Sequence, residues 1–357
     1  MPLTISSKDG LVDQVTFFNK KVSSKDMSGY YLLKNGEFAY NKSYSNGYDF
    51  GSIKRLERYE MGALSTLYIC FSLKKHCSDY IIHYFDSLKW YRQIYFISAE
   101  GARNHGLLNV PTDDFFATTH FLSPNIEEQQ KIADFLSLVD QRIEKQRKLV
   151  ESLKKYKRGL FLKLYNDSEK KSYKICDLGK YCATGALSKD DIDVSGKYPC
   201  ILYGELFTKY GEVIKQVVSR TNVLPTYLSG TNEILFPSST TADAQSLIFP
   251  SSLKIKNISL GGDLFTIKLK NEFDSDFISY LVNFEYKNTL ARYAQGITII
   301  HLHYTDIKEQ VIDIPNVDTQ FNISSVMRKI ETTIEMNINE LNSLLLMKKG
   351  FLQKMFI

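Results

Sequence analysis

One helical pattern of forty residues occurs twice in this chain, at 126–165 and at 317–356, with a constant offset of 191 and no gap. Nine of the forty pairs are identical, among them Gln129/Gln320, Ile132/Ile323, Ile143/Ile334, Leu153/Leu344, Lys157/Lys348, Gly159/Gly350 and Lys163/Lys354. The proline before each copy, Pro124 and Pro315, keeps the same offset. A duplication on this scale constrains the architecture more than any other property of the chain. It divides the sequence into a globular module at 1–124, a long helix at 125–165, a second module at 166–315 and a second long helix at 316–357.

Both copies carry an apolar seam. Ile132, Leu136, Val139, Ile143, Val150, Leu153, Leu160 and Leu164 follow steps of four and three, and Ile323, Met327, Ile330, Ile334, Leu341, Leu344, Phe351 and Met355 repeat them. A 3.5-residue period sustained this long favours a coiled coil over an ordinary amphipathic helix. The seam breaks at matching places, Gln146/Asn337 and Lys157/Lys348. A polar residue in an apolar seam penalises wrong registers, so the matched breaks predict that the two helices face each other and use these four residues to set register. The alternative is two independent helices, each lying on its own module. Asn125 and Asn316 stand at N-cap positions, with Glu127, Glu128 and Asp318 in the first turns, where carboxylates suit the helix dipole. Gly159 and Gly350 lower helix propensity, which predicts close backbone approach near the helix ends.

At 357 residues the chain is long enough for two or three domains, and 43% hydrophobic content with 13% aromatic supports globular cores. No apolar run reaches membrane-spanning length, and the first residues lack a signal-peptide core. Five cysteines without a C-x-x-C spacing fit reduced thiols in a cytoplasmic protein, with Cys176, Cys182 and Cys200 as packing residues. The net charge of +5 is unevenly distributed: Arg142 to Lys163 holds nine Lys or Arg against two Glu. Such a face suits nucleic acid, and equally suits plain solvation.

The second module reads as mixed and strand-rich, with strands near Glu212–Val218, Glu233–Phe236, Leu264–Lys270 and Gln310–Ile314 and a helix over Ser275–Ala294. The first module echoes its order at offsets between 201 and 196: Asp9 to Val12 with Tyr210 to Val213, Tyr31 to Phe38 with Tyr227 to Ile234, and Gly62 to Tyr68 with Gly261 to Ile267. The stretch from Tyr173 through Lys209 has no counterpart in the first module, which is therefore expected to be about 35 residues shorter at its N-terminal side and to expose a sheet edge there.

No catalytic pattern stands out. Nucleotide-binding glycine loops, H-E-x-x-H and any Pro-Pro pair are missing, and the last excludes the Asn/Asp-Pro-Pro-aromatic signature of amino-methyltransferases. His301 and His303 share one face of a strand but lack further ligands at metal spacing, so no metal site is expected. What remains are polar and basic loops at corresponding points of the two modules. Asn41-Lys-Ser-Tyr-Ser-Asn-Gly47, with Lys54, Arg55 and Arg58 following, matches Pro237-Ser-Ser-Thr-Thr-Ala242. Gly101-Ala-Arg-Asn-His-Gly106 matches Ala294-Gln-Gly-Ile-Thr298 with His301 and His303. These residue types hydrogen-bond phosphates and base edges. Each loop alone reads more readily as an ordinary turn, and it is their matched positions that favour the functional reading; His76, His83 and Trp90 read as packing or surface residues.

Two modules, each followed by a near-identical long helix, resemble the DNA-specificity subunit of type I restriction-modification enzymes. The resemblance rests on Pro124-Asn-Ile-Glu-Glu-Gln-Gln-Lys-Ile-Ala-Asp-Phe-Leu136, on Lys157-Arg-Gly-Leu-Phe-Leu-Lys163, and on Tyr40-Asn-Lys-Ser-Tyr-Ser-Asn-Gly47, and it covers essentially the whole chain. The second helix start, Pro315-Asn-Val-Asp-Thr-Gln320, and the short first module depart from the pattern. The resemblance implies an α+β fold of two target-recognition domains, with the long helices paired as an antiparallel coiled coil. It implies a non-catalytic subunit that reads a split double-stranded DNA target, one module per half-site. Two modification subunits using S-adenosylmethionine, and two motor-nuclease subunits using ATP and Mg, are the partners it implies; this chain would bind no cofactor itself. Forty helical residues span ~60 Å, compatible with half-sites one DNA turn, ~34 Å, apart. The residues expected to touch DNA are Lys42, Tyr44, Asn46 and Arg103 in the first module and Ser238, Ser239, Thr240 and Gln295 in the second. Two rival readings are a subunit that reads one half-site only and a coiled-coil adaptor that binds protein rather than DNA.

Overall fold

The computed structural model describes residues 1–20, 22–24, 26–98 and 108–356. They form two compact units, Met1–Leu149 with Asn337–Ile357, and Val150–Met336. The long helices run Ile126–Asn166 and Val317–Met355, so each gives one half to each unit. No helix among the described residues is long and apolar enough to cross a membrane.

In the first unit the central sheet is three-stranded and antiparallel, with Phe38–Asn41 between Ser52–Arg55 and Ile69–Phe71. Successive strand residues face opposite sides. Phe38 and Tyr40 enter a core with Trp90, Phe115, Tyr80, Tyr84, Leu136, Leu352 and Phe356. Ala39 enters a smaller core with Leu3, Leu11, Leu33 and Leu64, covered by the hairpin of Leu3–Ser6 with Gly10–Asp13.

The second unit builds the same pattern on a larger frame. Its five strands run in the order Val213–Ile214, Ser251–Leu253, Glu233–Pro237, Leu264–Leu269, Gly179–Ala183. Ile234 and Phe236 face the main core, while Leu235 faces a second one. The middle strand pairs Ile234 with Ser252 on one side and Ile267 on the other, as Phe38 in the first unit pairs with Arg55 and Phe71. The outer strand Gly179–Ala183, against Leu264–Leu269, comes from the stretch lacking a counterpart, which also supplies the last two residues of Lys170–Lys174, paired with Val311–Pro315 in a separate two-stranded sheet. Among the described residues, the outer edge of Ile69–Phe71 carries no strand. The predicted helix over Ser275–Ala294 is α-helical at Ser275–Leu281 and Lys287–Ala291 with a π turn, Val282–Tyr286, between.

The start of each long helix is latched identically. Asn125 Oδ1 accepts from the amides of Glu127 and Glu128, and Asn316 Oδ1 from that of Thr319, meeting donors a helix end leaves free. One turn on, Gln129 and Gln320 are fully buried. The Gln129 Oε1 accepts from the Cys77 amide and its Nε2 donates to the Ser123 carbonyl. Gln320 takes the Asp274 amide and donates to the carbonyls of Glu272 and Pro315. Cys77 and Asp274 are the N-caps of Ser78–Asp86 and Ser275–Leu281. Each glutamine therefore ties its long helix to the start of the module's buried helix, which accounts for its identity in both copies.

The seam residues turn partly out of register at the helix ends. Phe161 and Tyr165, rather than Leu160 and Leu164, are the buried pair in the second unit, and Leu352 and Phe356 are their equivalents in the first. The glycine expectation is overturned: a Cβ on Gly159 or Gly350 would meet nothing within 4 Å.

Candidate nucleic-acid interface

In the second unit, four of the sequence-picked residues converge on one short strand. Ser239–Thr240 pairs antiparallel with Ile300–His301. Gln295 exchanges both backbone hydrogen bonds with His301, at 2.9 and 2.7 Å. The Ser238 amide donates to the Asp263 carbonyl, and the Ser238 carbonyl accepts from the Leu302 amide at 3.0 Å. The result is a polar two-stranded ribbon closed by a hairpin from Gln295 to His301. Gln295 is exposed and Thr240 is partly so. Ser239 is only 5% exposed and is not presented to solvent. The rings of His301 and His303 lie parallel with centroids 6.2 Å apart, on one face as the spacing predicts. Among the described residues no three His, Cys, Asp or Glu gather as a metal-binding group.

The first unit carries a matching clamp. The Lys42 carbonyl accepts from the Leu108 amide at 3.0 Å, as Ser238 accepts from Leu302. Each module thus locks its strand-following loop to the segment before its last short helix through one backbone bond. Beyond Lys42 the chain makes a tight turn, Ser45 and Tyr48 exchanging two backbone hydrogen bonds around Asn46-Gly47. Gly47 sits at φ +84, a conformation for which glycine has no steric penalty. Tyr44 and Asn46 project to solvent, and the Ser45 hydroxyl is tied through Ser7 to Ser52. Arg103 and the rest of 99–107 lie outside the described residues.

Two cations that the sequence sets beside this loop are structural. Lys54 pairs with Asp86 at 2.8 Å, and Arg55 binds Glu57, Asp79 and the Ser78 hydroxyl. Arg58 remains exposed. Burial alone would raise the Asp86 carboxyl, but Lys54 and Lys348 together hold it below its ordinary value.

The four seam-breaking residues also have defined partners. Within the first unit, Phe135 meets Phe351, Asp140 meets Lys348, Arg142 meets Glu340 and Gln146 meets Asn337, so numbers rise along one helix as they fall along the other. This is an antiparallel contact. Gln146 Nε2 donates to both the carbonyl and side-chain oxygens of Asn337, at 3.0 and 2.9 Å. The lysines do not meet each other. Lys157 lies between Glu331 (3.1 Å) and Glu212 (3.0 Å) in the second unit. In the first, Lys348 lies between Asp140 (2.7 Å) and Asp86 (3.7 Å). Lys157 and Lys348 are 191 apart, and so are Asp140 and Glu331; the same helix-to-helix ion pair is built twice. Sequence reading found the lysines through their identity but missed the acids, because an Asp/Glu pair does not register as an identity.

The chain thus has two tandem modules, each followed by a long helix and each clamping one polar loop through a backbone hydrogen bond. The sequence profile of the type I restriction modification DNA specificity domain matches residues 167–346, and the chain belongs to that family. Its fold is similar to a chain in a structure of complex assembly and conformational transition of the type I R-M system, at 12% identity and TM-score 0.56 over 91% of this chain and 82% of the other. It is also similar to the type I restriction-modification S subunit from M. genitalium, at 14% identity and TM-score 0.53 over 94% and 87%. No curated protein matches it.

Proposed function

We propose that this chain is the sequence-reading subunit of a type I restriction-modification assembly, each module contacting one half of a split double-stranded DNA target. The observation that carries this reading is the repeated clamp, Lys42 to Leu108 and Ser238 to Leu302. In both modules it ties a polar loop to the segment before the last short helix, and the exposed residues of these loops are of the types that read base edges and hold phosphates. The long helices act as an antiparallel coiled-coil spacer, registered by Gln146 with Asn337 and by Lys157 and Lys348 with their acids. The chain contributes no chemistry of its own. Two modification subunits holding S-adenosylmethionine methylate adenine, and motor-nuclease subunits with ATP and Mg cleave.

Selection from random duplex DNA, with and without modification subunits, tests this reading. The expected product is a site of two short specified blocks around an unspecified spacer. Lys42→Ala is expected either to relax one block and spare the other, marking a base contact, or to weaken all sequences alike with a shallower salt dependence, marking a phosphate contact. A single specified block would mean that only one module reads. Absence of any sequence selection would leave a protein-binding adaptor and reject the proposal.

A further inference from the structure

The hairpin that closes the second module's ribbon ends in an apolar tip. Ile297 is 99% exposed, the most exposed large hydrophobic residue among those described, and Ile299 is 48% exposed. This tip is built rather than loose. Gly296 turns at φ +127, and a Cβ there would fall 2.0 Å from the Ile299 carbonyl, so the backbone closes tightly against itself. Gln295 and His301 seal the base of the loop by two backbone hydrogen bonds. Around the tip stand polar groups: Gln295, Thr298 and His301. A β-branched side chain wholly in water on a fixed turn gains nothing for folding, since its apolar area stays unburied.

We propose that Ile297 is a specificity residue of the second module that contacts the C5-methyl of a thymine in the major groove. This inference rests on the DNA-reading function proposed above. The major groove admits a two-stranded β-ribbon, and the thymine methyl is the one apolar group that the base pairs present there. Flanking Gln295 and Thr298 supply hydrogen bonds to neighbouring base edges, while Ile297 supplies the contact that no polar side chain makes well. The tip therefore discriminates thymine from cytosine without reading a hydrogen bond.

Removing the methyl tests the contact directly. The full chain is used first to select its target from random duplexes, and each thymine of the site is then replaced singly by deoxyuridine. The native chain is expected to lose about fourfold in affinity at one thymine, in one block only, which corresponds to one buried methyl group. Ile297→Ala should bind the thymine and deoxyuridine versions equally, with an unchanged melting temperature because the side chain touches nothing in the fold. A native chain that selects a site yet tolerates every deoxyuridine overturns the inference and leaves the DNA-reading function standing. So does a deoxyuridine penalty that persists in Ile297→Ala, or a block containing no thymine whose selection Ile297→Ala abolishes, which would mark an apolar wedge between base steps instead. Failure to select any sequence overturns both.

Discussion

The two lysines at matched positions of the long helices sit in different surroundings. Lys157 has a side chain 8% exposed, held by Glu331 and Glu212 with the rings of Tyr280 and Phe284 each 5.5 Å away. The side chain of Lys348 is 17% exposed, and the Asp86 it approaches is already paired with Lys54 at 2.8 Å. One ion pair between the helices is common to both; the second acid and its company differ. What duplicated is the device joining helix to helix, and what diverged is the module wall against which it packs. A residue in the shared device should therefore matter in both modules, with a magnitude set by its local wall.

The sharpest way to break this comparison is to remove each lysine in turn. Lys157→Ala strands two carboxylates in a dry site, and the expected loss is about 3–5 kcal/mol, the cost of leaving a buried charge unpaired. Lys348→Ala leaves Asp86 still paired with Lys54 and Asp140 partly open to water. Its expected loss lies between surface and buried limits, about 1–2 kcal/mol. Urea unfolding followed by a probe in each module measures both; equal losses would mean that the walls do not matter.

Acid separates the modules by sign. The folded Asp86 carboxyl lies below its ordinary value of 3.8: burial opposes this, and Lys54 and Lys348 outweigh burial. A lowered folded pKa gives stability that is present above pH 3.8 and lost as pH falls through the folded value. Glu331 is raised above 4.5, by burial first, with Glu212 adding to it and Lys157 opposing. A raised carboxylate is a group whose proton uptake favours the folded state, so its contribution improves as pH falls through the folded value towards 4.5. Asp86→Asn should flatten the acid limb of the first module's unfolding profile below pH 4. Glu331→Gln should remove an opposite slope just above pH 4.5. Profiles of melting temperature against pH from 3 to 7 are the measurement, and slopes of the same sign in both variants would reject the assignment.

Legibility followed the same division. The helices were readable because a 3.5-residue seam and a constant offset depend on many residues at once, and their N-caps because Asn125 and Asn316 act locally. The second module's middle strand, Glu233–Pro237, was readable as a β-rich run. The Gln129 and Gln320 latches could be seen only as identities, since their partners Cys77 and Asp274 share neither type nor spacing with each other. The loops were found from residue type and matched position, but type alone did not separate exposed Tyr44 and Gln295 from buried Ser239. Lys54 and Arg55 illustrate the same limit: a cation near a loop in sequence is a candidate ligand contact until Asp86, Glu57 and Asp79 are known to hold it. Burial and ion pairing across a fold are non-local, so composition and period carry no signal for them.

The smallest expected effect tests the one place where identity between the copies misled. Gly159 and Gly350 are identical, helical and exposed, and a Cβ at either site meets open space. Neither has a positive φ. Nothing in the fold of either module then requires glycine, and alanine should stabilise each helix by about 0.5–1 kcal/mol through reduced backbone entropy of the unfolded chain. Thermal melts of Gly159→Ala, Gly350→Ala and the double variant measure this, with additive gains expected because an added Cβ at either site meets nothing within 4 Å. A loss at either site would mean that the fold needs glycine there after all. Gains in stability joined to a loss of assembly would instead locate the reason for both glycines on a surface that another subunit approaches closely.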